Sequence, residues 1–507
     1  MADRSDRRTT DRFADRPLPS WYDDAKLGVF LHWGLYSVPG WAPQVGDIQS
    51  VLRAHGPAHL LANSPYAEWY ANTVRIPGSP TAAHHREVYG DAPYDAFVEP
   101  FTTASAGADL DALAAVCASA GAEYVVLTTK HHEGWCLWPT DVPHPVRGDA
   151  WRSPRDLVGD LSAAVRSAGM RMGLYYSGGY DWSVHDVVIR DAGTALLAIP
   201  QSPEYAAYVD AHYRELIDRY EPSVLWNDIA APTPLDLLGL FAHYYDCVPD
   251  GVVNDRWAQG TVGGGPVAQG AFHAAVKGGS WLVERAWPIL PSKYKGLSFS
   301  VTPKHHDFTT PEYAQHDEIQ AAKWESTRGV GHSFGANRNE RPADVLTGAD
   351  LVRSFVDIVA KGGNLLIGIG PEPDGSIPHW QQAPLRALGE WLAVNGGAIF
   401  GSRPWEVASS RTAQGTPVRF TRTADAVHAV LLEVPPRPDV VLWGVDASDV
   451  REVTVAGLSP DEVSWSVDDG TLSLRLPERL PATPALTVSL GPADAVRPVD
   501  LPSHPEP

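Results

Sequence analysis

Short apolar runs that end abruptly in polar or aromatic residues recur through the first three quarters of the chain. They are "GVFLHWG" (28–34), "YVVLTTKHH" (124–132), "MGLYYSGG" (172–179), "SVLWND" (223–228), "GVVNDRW" (251–257) and "GNLLIGIGP" (363–371). Unbroken apolar stretches of this length are the pattern of strands buried on both faces. Helical spacing fills the intervals: Leu110, Leu113 and Val116; Leu157, Leu161 and Val165 after Ser153-Pro154; Leu216 before "DRY"; and Leu351, Val356 and Val359 before Gly362-Gly363. Strands that alternate with helices predict a parallel sheet with crossover helices.

From about residue 403 the period changes to two. "TPVRFTRT", "AVHAVLLEV", "DVVLWGV", "REVTVAGL", "VSWSV", "TLSLRL" and "ALTVSL" alternate apolar with polar positions between turns, which predicts an antiparallel β-sandwich over 403–492. Residues 1–20 and 493–507 are polar and rich in charge or proline, and are expected to be disordered tails. "AQGTVGGGPVAQGAFHAAVKGGS" (258–280) is expected to form a long loop or lid within an insertion near 258–306.

A closed (β/α) barrel and an open doubly wound sheet both fit the alternation in residues 21–402. Polar and aromatic groups end at least five of the strands, and only a closed barrel brings that many strand ends to one mouth. No G-x-G-x-x-G or G-x-x-x-x-G-K-[ST] follows a strand, so a nucleotide fold lacks its phosphate loop. The expected architecture is therefore α/β, a (β/α)8-like TIM-type catalytic barrel followed by the sandwich.

Composition narrows the chemistry. A net charge of -21 with no Lys/Arg cluster opposes a nucleic-acid partner. No apolar run is long enough to span a bilayer, and the charged opening segment has no apolar signal region, so the expected location is the cytoplasm and no membrane partner is expected. Cys117, Cys136 and Cys247 are far apart and form no C-x-x-C pair, which points to reduced thiols rather than a disulfide framework or a thiolate zinc site. An excess of Trp (18) and Tyr (18) over Phe (12) suits sugar rings, which need an apolar face and a hydrogen-bonding group together.

Two stretches carry candidate chemistry. Asp228 in "LWND" ends an apolar strand, where a carboxylate either caps the following "PLDLLGLF" helix or faces a cavity. "KHHEGW" (130–135) delivers two imidazoles, but adjacent residues on a strand point to opposite faces, so both reach one site only if the strand has ended. The zincin spacing H-E-x-x-H is absent, and neutral imidazoles hydrogen-bonding a polyol fit better than metal ligands. His84-His85 and His305-His306 read as solvated loops.

Taken together, "FLHWGLYSVPGW", "YAEWY", "TTKHHEGWCLWPT", "RDLVGDL", "GLYYSGGYDW", "LWND", "NDRW", "KWESTRGVGHSFGANRNE" and "KGGNLLIGIGPEPDGSIP" resemble the retaining α-L-fucosidases of glycoside hydrolase family 29, over roughly residues 20–420. The resemblance implies an exo-acting enzyme that hydrolyses terminal α-L-fucosyl residues of a glycan by double displacement, with no metal and no organic cofactor. It places the nucleophile at Asp228 and the fucose-binding residues at His32, Glu68, Trp69, His131, His132, Tyr175, Trp226 and Arg256. The general acid/base falls on Glu312 in "DFTTPEYAQ". About fifty residues separate "NDRW" from "DFTTPEY", more than the resemblance leads one to expect, and Glu284 and Glu325 are rival carboxylates in that region. Other classes compatible with parts of the pattern are a metal-dependent barrel hydrolase using the His pairs and a catalytically inactive fucose-binding protein. Linkage preference and assembly into a homo-oligomer are left open.

Overall fold

The computed structural model describes residue 13 and residues 15–46, 48–260, 266–290, 303–313 and 316–500. Seven parallel strands form one sheet: β1 (Leu27–Leu31), β2 (Tyr124–Lys130), β3 (Arg171–Ser177), β4 (Val224–Asp228), β5 (Val252–Val253), β6 (Trp324–Gly329) and β7 (Gly363–Ile369). Their order is β5-β4-β3-β2-β1-β7-β6. The edge strands β5 and β6 are joined by the irregular stretch 307–313. Asp307 N donates to Val253 O (2.9 Å), Glu325 N donates to Thr309 O (2.8 Å), and Tyr313 N donates to Thr327 O (3.0 Å), so this stretch serves as the eighth stave and closes the barrel. Its ladder to β6 is reduced to the isolated parallel bridges Thr309 to Trp324 and Glu312 to Thr327. Pro311 has no N–H to donate, which prevents a regular strand there.

Successive strand residues alternate between two cores, which is why the runs are apolar throughout. Phe30, Tyr124, Val126, Tyr175, Val224, Trp226, Val252 and Leu366 point into the barrel, where Tyr22 and Phe308 join them. Val29, Leu31, Val125, Leu127, Leu174, Leu225, Leu365 and Ile367 pack outward against the helices. Those helices, Leu110–Ser119, Leu157–Ser167, Pro203–Tyr220, Leu237–Cys247 and Gly348–Ala360, each begin at a capping side chain: Asp109, Asp156, Ser202, Asp236 and Thr347. Each cap accepts one of the N–H groups that the first turn leaves unpaired.

After residue 403 the chain forms antiparallel sheets. One pairs Arg403–Arg411, Pro417–Arg422, Val427–Leu431, Leu486–Gly491 and Glu452–Val455; a second pairs Asp439–Leu442, Thr471–Arg475 and Ser464–Asp468. Their shared core includes Trp405, Phe420, Leu442, Leu474 and Val488.

Three expectations are corrected. The glycine-rich stretch is not a loop throughout: from Pro266 to Ala286 it is a helix, entered at a proline and carried by an Ala-rich segment. Its far end is anchored where Trp287 Nε1 donates to Leu52 O (3.0 Å) and Ser280 Oγ accepts from Gly193 N (3.1 Å). Residues 261–265 and 291–302 of the insertion lie outside the described residues. The expected N-terminal tail is docked in part, with Phe13 buried and Arg16 Nη1 donating to Asp307 Oδ1 (2.7 Å). The expected C-terminal tail continues the fold as far as Arg497–Pro498, which pairs with Val445–Asp446; residues 501–507 lie outside the described residues, as do residues 1–12. Among the described residues no helix is long and apolar enough to cross a membrane.

At the end of β2, Lys130 is turned away from the barrel interior. Its Nζ donates to Ser177 O (3.0 Å) and Asp181 Oδ2 (2.9 Å), with both side chains 0% exposed. The pair ties β2 to the loop after β3. Removing one partner leaves the other as an unpaired buried charge, so Lys130→Met is expected to cost about 3–5 kcal/mol, read as a lower urea midpoint with an unchanged slope. A loss below 1 kcal/mol would contradict a structural role.

Candidate active site

At the C-terminal ends of the strands lies a cavity of about 130 Å³. It is small beside the ~300–1,000 Å³ clefts that take drug-sized ligands. It is lined by Phe30, His32, Tyr66, Glu68, Trp69, His131, His132, Tyr175, Trp226, Asp228, Ile229, Arg256, Glu312, Thr327 and Phe334. All ten residues put forward from sequence as nucleophile, acid/base or sugar contacts are therefore in one cavity. β2 ends at Lys130, which frees His131 and His132 from strand alternation, and their ring centroids lie 4.0 Å apart. Glu68 and Trp69 arrive from the short turn Ala67–Trp69 in the long connection from β1 to β2.

Asp228 is the last residue of β4 and is held on both oxygens. Oδ2 accepts from Tyr175 Oη (2.8 Å), and Oδ1 accepts from Ile229 N (2.9 Å) and Arg256 Nη1 (3.0 Å). The same Arg256 Nη1 lies 2.7 Å from Glu312 Oε1. Two carboxylate oxygens that share one nitrogen can be no further apart than the two contacts laid end to end. That suits the about 5–5.5 Å of a retaining glycosidase pair and is short of the about 6.5–9.5 Å of an inverting pair. Arg256 is itself oriented: Nε donates to Thr310 Oγ1 (3.0 Å) and Nη2 to Thr310 O (3.0 Å), while the guanidinium carbon sits 4.8 Å from the centre of the Trp226 ring. Burial alone would weaken its charge, but Glu312 and Asp228 outweigh that and raise its pKa. The two acids are not equivalent in exposure. The side chain of Glu312 is 38% exposed and that of Asp228 is 12% exposed, so Glu312 stands at the rim and Asp228 at depth.

His32 and His132 are set as neutral groups. Burial pulls His32 well below its ordinary range, and burial with the neighbouring His131 and Lys130 does the same to His132. Ser177 Oγ gives its proton to Tyr180 O (2.8 Å) and so meets His132 Nδ1 (2.7 Å) as an acceptor. The ring proton of His132 is therefore on Nδ1, and the lone pair of Nε2 faces the cavity, 3.8 Å from Asp228 Oδ2. Nε2 so placed is an acceptor for a hydroxyl that enters the cavity. Glu68 Oε2 accepts from Gly335 N (2.9 Å) and Ser333 Oγ (3.1 Å), while burial raises its pKa. Among the described residues, the buried Nδ1 atoms of His32 and His131 have no hydrogen-bond partner in the protein.

The rival carboxylates are elsewhere. Glu284 Oε1 accepts from Ala58 N (3.1 Å), serving the start of helix Pro57–Ala62. Glu325 is buried inside the barrel and accepts from Tyr22 Oη (2.8 Å), Tyr124 Oη (2.5 Å) and Trp226 Nε1 (3.1 Å). The capping role considered for Asp228 belongs to Asp236, whose side chain accepts from Gly239 N (3.1 Å). Nor are the other His pairs simply solvated loops. His84 and His85 lie on helix Pro80–Tyr89, with His84 stacked on Trp41 and His85 buried against Tyr70 Oη (2.9 Å), and His305 Nε2 bonds Tyr245 Oη (2.7 Å).

Sequence reasoning missed Phe30, Tyr66, Ile229, Thr327 and Phe334. Phe30 and Phe334 sat inside the quoted motifs "FLHWG" and "HSFGAN", where an aromatic next to a polar cavity residue was the available signal. Ile229 left none. It has φ +69, and Ala230 has φ +120, so the chain turns sharply after Asp228 in a conformation that normally selects glycine. Such strain costs on the order of 1–3 kcal/mol per residue, and here it lets Ile229 N fold back onto the Asp228 carboxylate.

The Alpha-L-fucosidase family profile matches residues 2–397. The Thermotoga maritima alpha-fucosidase solved in complex with fucose is 37% identical, with a TM-score of 0.75 over 94% of this chain and 97% of that one. The same enzyme in complex with a mechanism-based inhibitor gives 36% identity and the same TM-score and coverage. The tissue alpha-L-fucosidase of Mus musculus is 30% identical over 481 residues, covering 92% of this chain and 89% of that protein. With its barrel, its sandwich and its paired carboxylates, the chain belongs to the alpha-L-fucosidase family of glycoside hydrolases.

Proposed function

We propose that this chain is an exo-acting retaining α-L-fucosidase in which Asp228 is the nucleophile and Glu312 the general acid/base. The observation that carries the assignment is the single nitrogen of Arg256 standing between the two carboxylates, 3.0 Å from one and 2.7 Å from the other. A terminal fucosyl ring of a glycan occupies the cavity with its anomeric carbon over Asp228. His132 Nε2 accepts a sugar hydroxyl, His32, His131, Glu68 and Trp69 supply further polar contacts, and Trp226 with Phe30 and Phe334 walls the apolar side of the ring, including its C5 methyl.

In the first step Asp228 attacks the anomeric carbon while Glu312, at the rim beside the departing oxygen, protonates the leaving group. Tyr175 holds the nucleophile in place. Its own ionisation is pushed far up by burial and by Asp228, so it stays a donor throughout. In the second step the esterified Asp228 no longer shares the charge of Arg256. The guanidinium then faces Glu312 alone, and Glu312, having given up its proton in the first step, acts as the general base that activates water. Release of fucose with its configuration retained follows.

Replacing the nucleophile separates the two steps. Asp228→Gly is expected to fold normally and to lose several orders of magnitude in turnover of an aryl α-L-fucoside, with azide restoring activity and yielding the β-fucosyl azide. Near-wild-type turnover in the folded variant would end the assignment.

The acid/base is tested by leaving-group dependence. Glu312→Ala is expected to lose about 10²–10⁴-fold on fucosyl-oligosaccharides but far less in cleavage of a nitrophenyl fucoside to the fucosyl-enzyme, because nitrophenolate departs with little help. A burst of nitrophenol followed by slow turnover is expected, with azide accelerating the slow phase and yielding the α-fucosyl azide. If Glu312→Ala behaves alike on both substrates and shows no burst, another group protonates the leaving oxygen.

A further inference from the structure

A second set of converging side chains lies at the opposite end of the barrel from the cavity. His243 and Cys247 are four residues apart near the end of helix Leu237–Cys247, a spacing that puts both on one face. Asp218, near the end of the adjacent helix Pro203–Tyr220, meets them there. His243 Nε2 lies 2.7 Å from Asp218 Oδ1, and Cys247 Sγ lies 3.9 Å from each of those atoms. The His243 side chain is 29% exposed and that of Asp218 56%, so the group is open to solvent. None of the three lines the fucose cavity.

From this convergence we propose that Asp218, His243 and Cys247 form a binding site for a divalent cation of zinc type, which clasps the two helices flanking β4. Tetrahedral zinc holds oxygen and nitrogen ligands at about 2.0–2.2 Å and sulfur at about 2.3 Å, which sets donor-to-donor distances of about 3.3–3.7 Å. The observed edges fall on either side of that range, so small side-chain rotations satisfy it. Water completes the fourth position. Without metal, one ring N–H serves Asp218 and the thiol has only long contacts; a cation in the centre engages all three groups.

The charges around the site favour the ion. The carboxylates of Asp246 and Glu221 stand near the Cys247 thiol and, with Asp218, attract a cation. The opposing charges nearby are engaged elsewhere: Arg214 Nε donates to Asp210 Oδ2 (2.8 Å), Arg166 Nη2 donates to Glu221 O (3.1 Å) and Arg219 Nη2 pairs with Glu215 Oε1 (2.9 Å). Binding breaks the S–H bond and sends that proton to solvent, while the imidazole proton moves from Nε2 to Nδ1. One proton is released per ion, so affinity rises with pH. The expected role is stability, since the clasp braces the helices that lead into and out of the strand bearing Asp228.

The test uses the full chain, reduced and stripped with chelator, titrated with zinc chloride and with cobalt(II) chloride. Expected are one zinc per chain, a higher thermal midpoint with zinc, tighter binding at pH 8 than at pH 6, and a thiolate-to-cobalt charge-transfer band. Cys247→Ala is expected to abolish the band, and both it and His243→Ala to weaken zinc at least tenfold, with fucosidase turnover of the metal-free variants within twofold of wild type. The proposal is overturned if cobalt gives no thiolate band, or if Cys247→Ala takes up zinc as the wild type does, which would leave a surface His–Asp pair beside a free thiol.

Discussion

One guanidinium organises the active site. Arg256 bonds the two carboxylates through a single nitrogen and donates to Thr310 through Nε and Nη2. Thr310 is in turn held by Asp255, whose Oδ1 accepts from both its N (3.0 Å) and its hydroxyl (2.6 Å). A largely buried arginine is tolerable where its charge is matched and most of its donors are used, and with its side chain 20% exposed Arg256 meets both conditions. Because Thr310 and Glu312 lie on the same irregular stave, the closure of the barrel and the placing of Glu312 beside Asp228 are one structural event.

The rest of the barrel keeps that arrangement rigid from below and from the sides. Asn227 points away from the cavity, donating to Arg256 O (2.6 Å) and Ala230 O (2.9 Å) and accepting from Tyr213 Oη (2.5 Å). Asn254 accepts from Asn227 N (3.0 Å) and donates to Asn227 O (2.8 Å). These amides stitch β4 to a β5 only two residues long, where ladder bonds alone would be few. Beneath the cavity Trp226 stands on the Glu325 carboxylate, which two tyrosines also satisfy. A buried acid with three donors can serve as a fixed strut; the same network keeps it from the chemistry at the mouth.

Polar groups in the cavity are arranged so that donors and acceptors are preset before a sugar arrives. The chain from His132 through Ser177 to Tyr180 selects a tautomer, and burial keeps the ring neutral. The strained turn at Ile229 and Ala230 supplies a backbone N–H that a relaxed strand end would direct elsewhere. Preorganisation of this kind places the cost in folding rather than in the reaction.

Much of this was legible in the chain itself. Apolar runs buried on both faces, helical spacing between them and the change to period two after residue 403 are local patterns, so the barrel and the antiparallel sheets could be read from them. The polar residues that end those runs had to converge once the strands were parallel and closed, which put Asp228, His32, His131, Tyr175 and Arg256 in one place. What local pattern could not decide was anything set by contacts distant in sequence. "DFTTPEY" has too few apolar residues and a proline, so its role as the eighth stave exists only because β5 and β6 leave a gap of its width. Where Glu312, Glu284 and Glu325 stand followed from that closure: the first faces the cavity, the second accepts from the start of a distant helix and the third fills the barrel. The helix from Pro266 was hidden because glycines read as a loop, whereas packing of Ser280 and Trp287 against remote backbone held it helical. Cys247, read alone as a plain thiol, acquired Asp218 and His243 as neighbours only when two helices were laid side by side. Periodicity is a property of neighbours along the chain, whereas a site is made by neighbours in space, and only the closed barrel could say which residues those are.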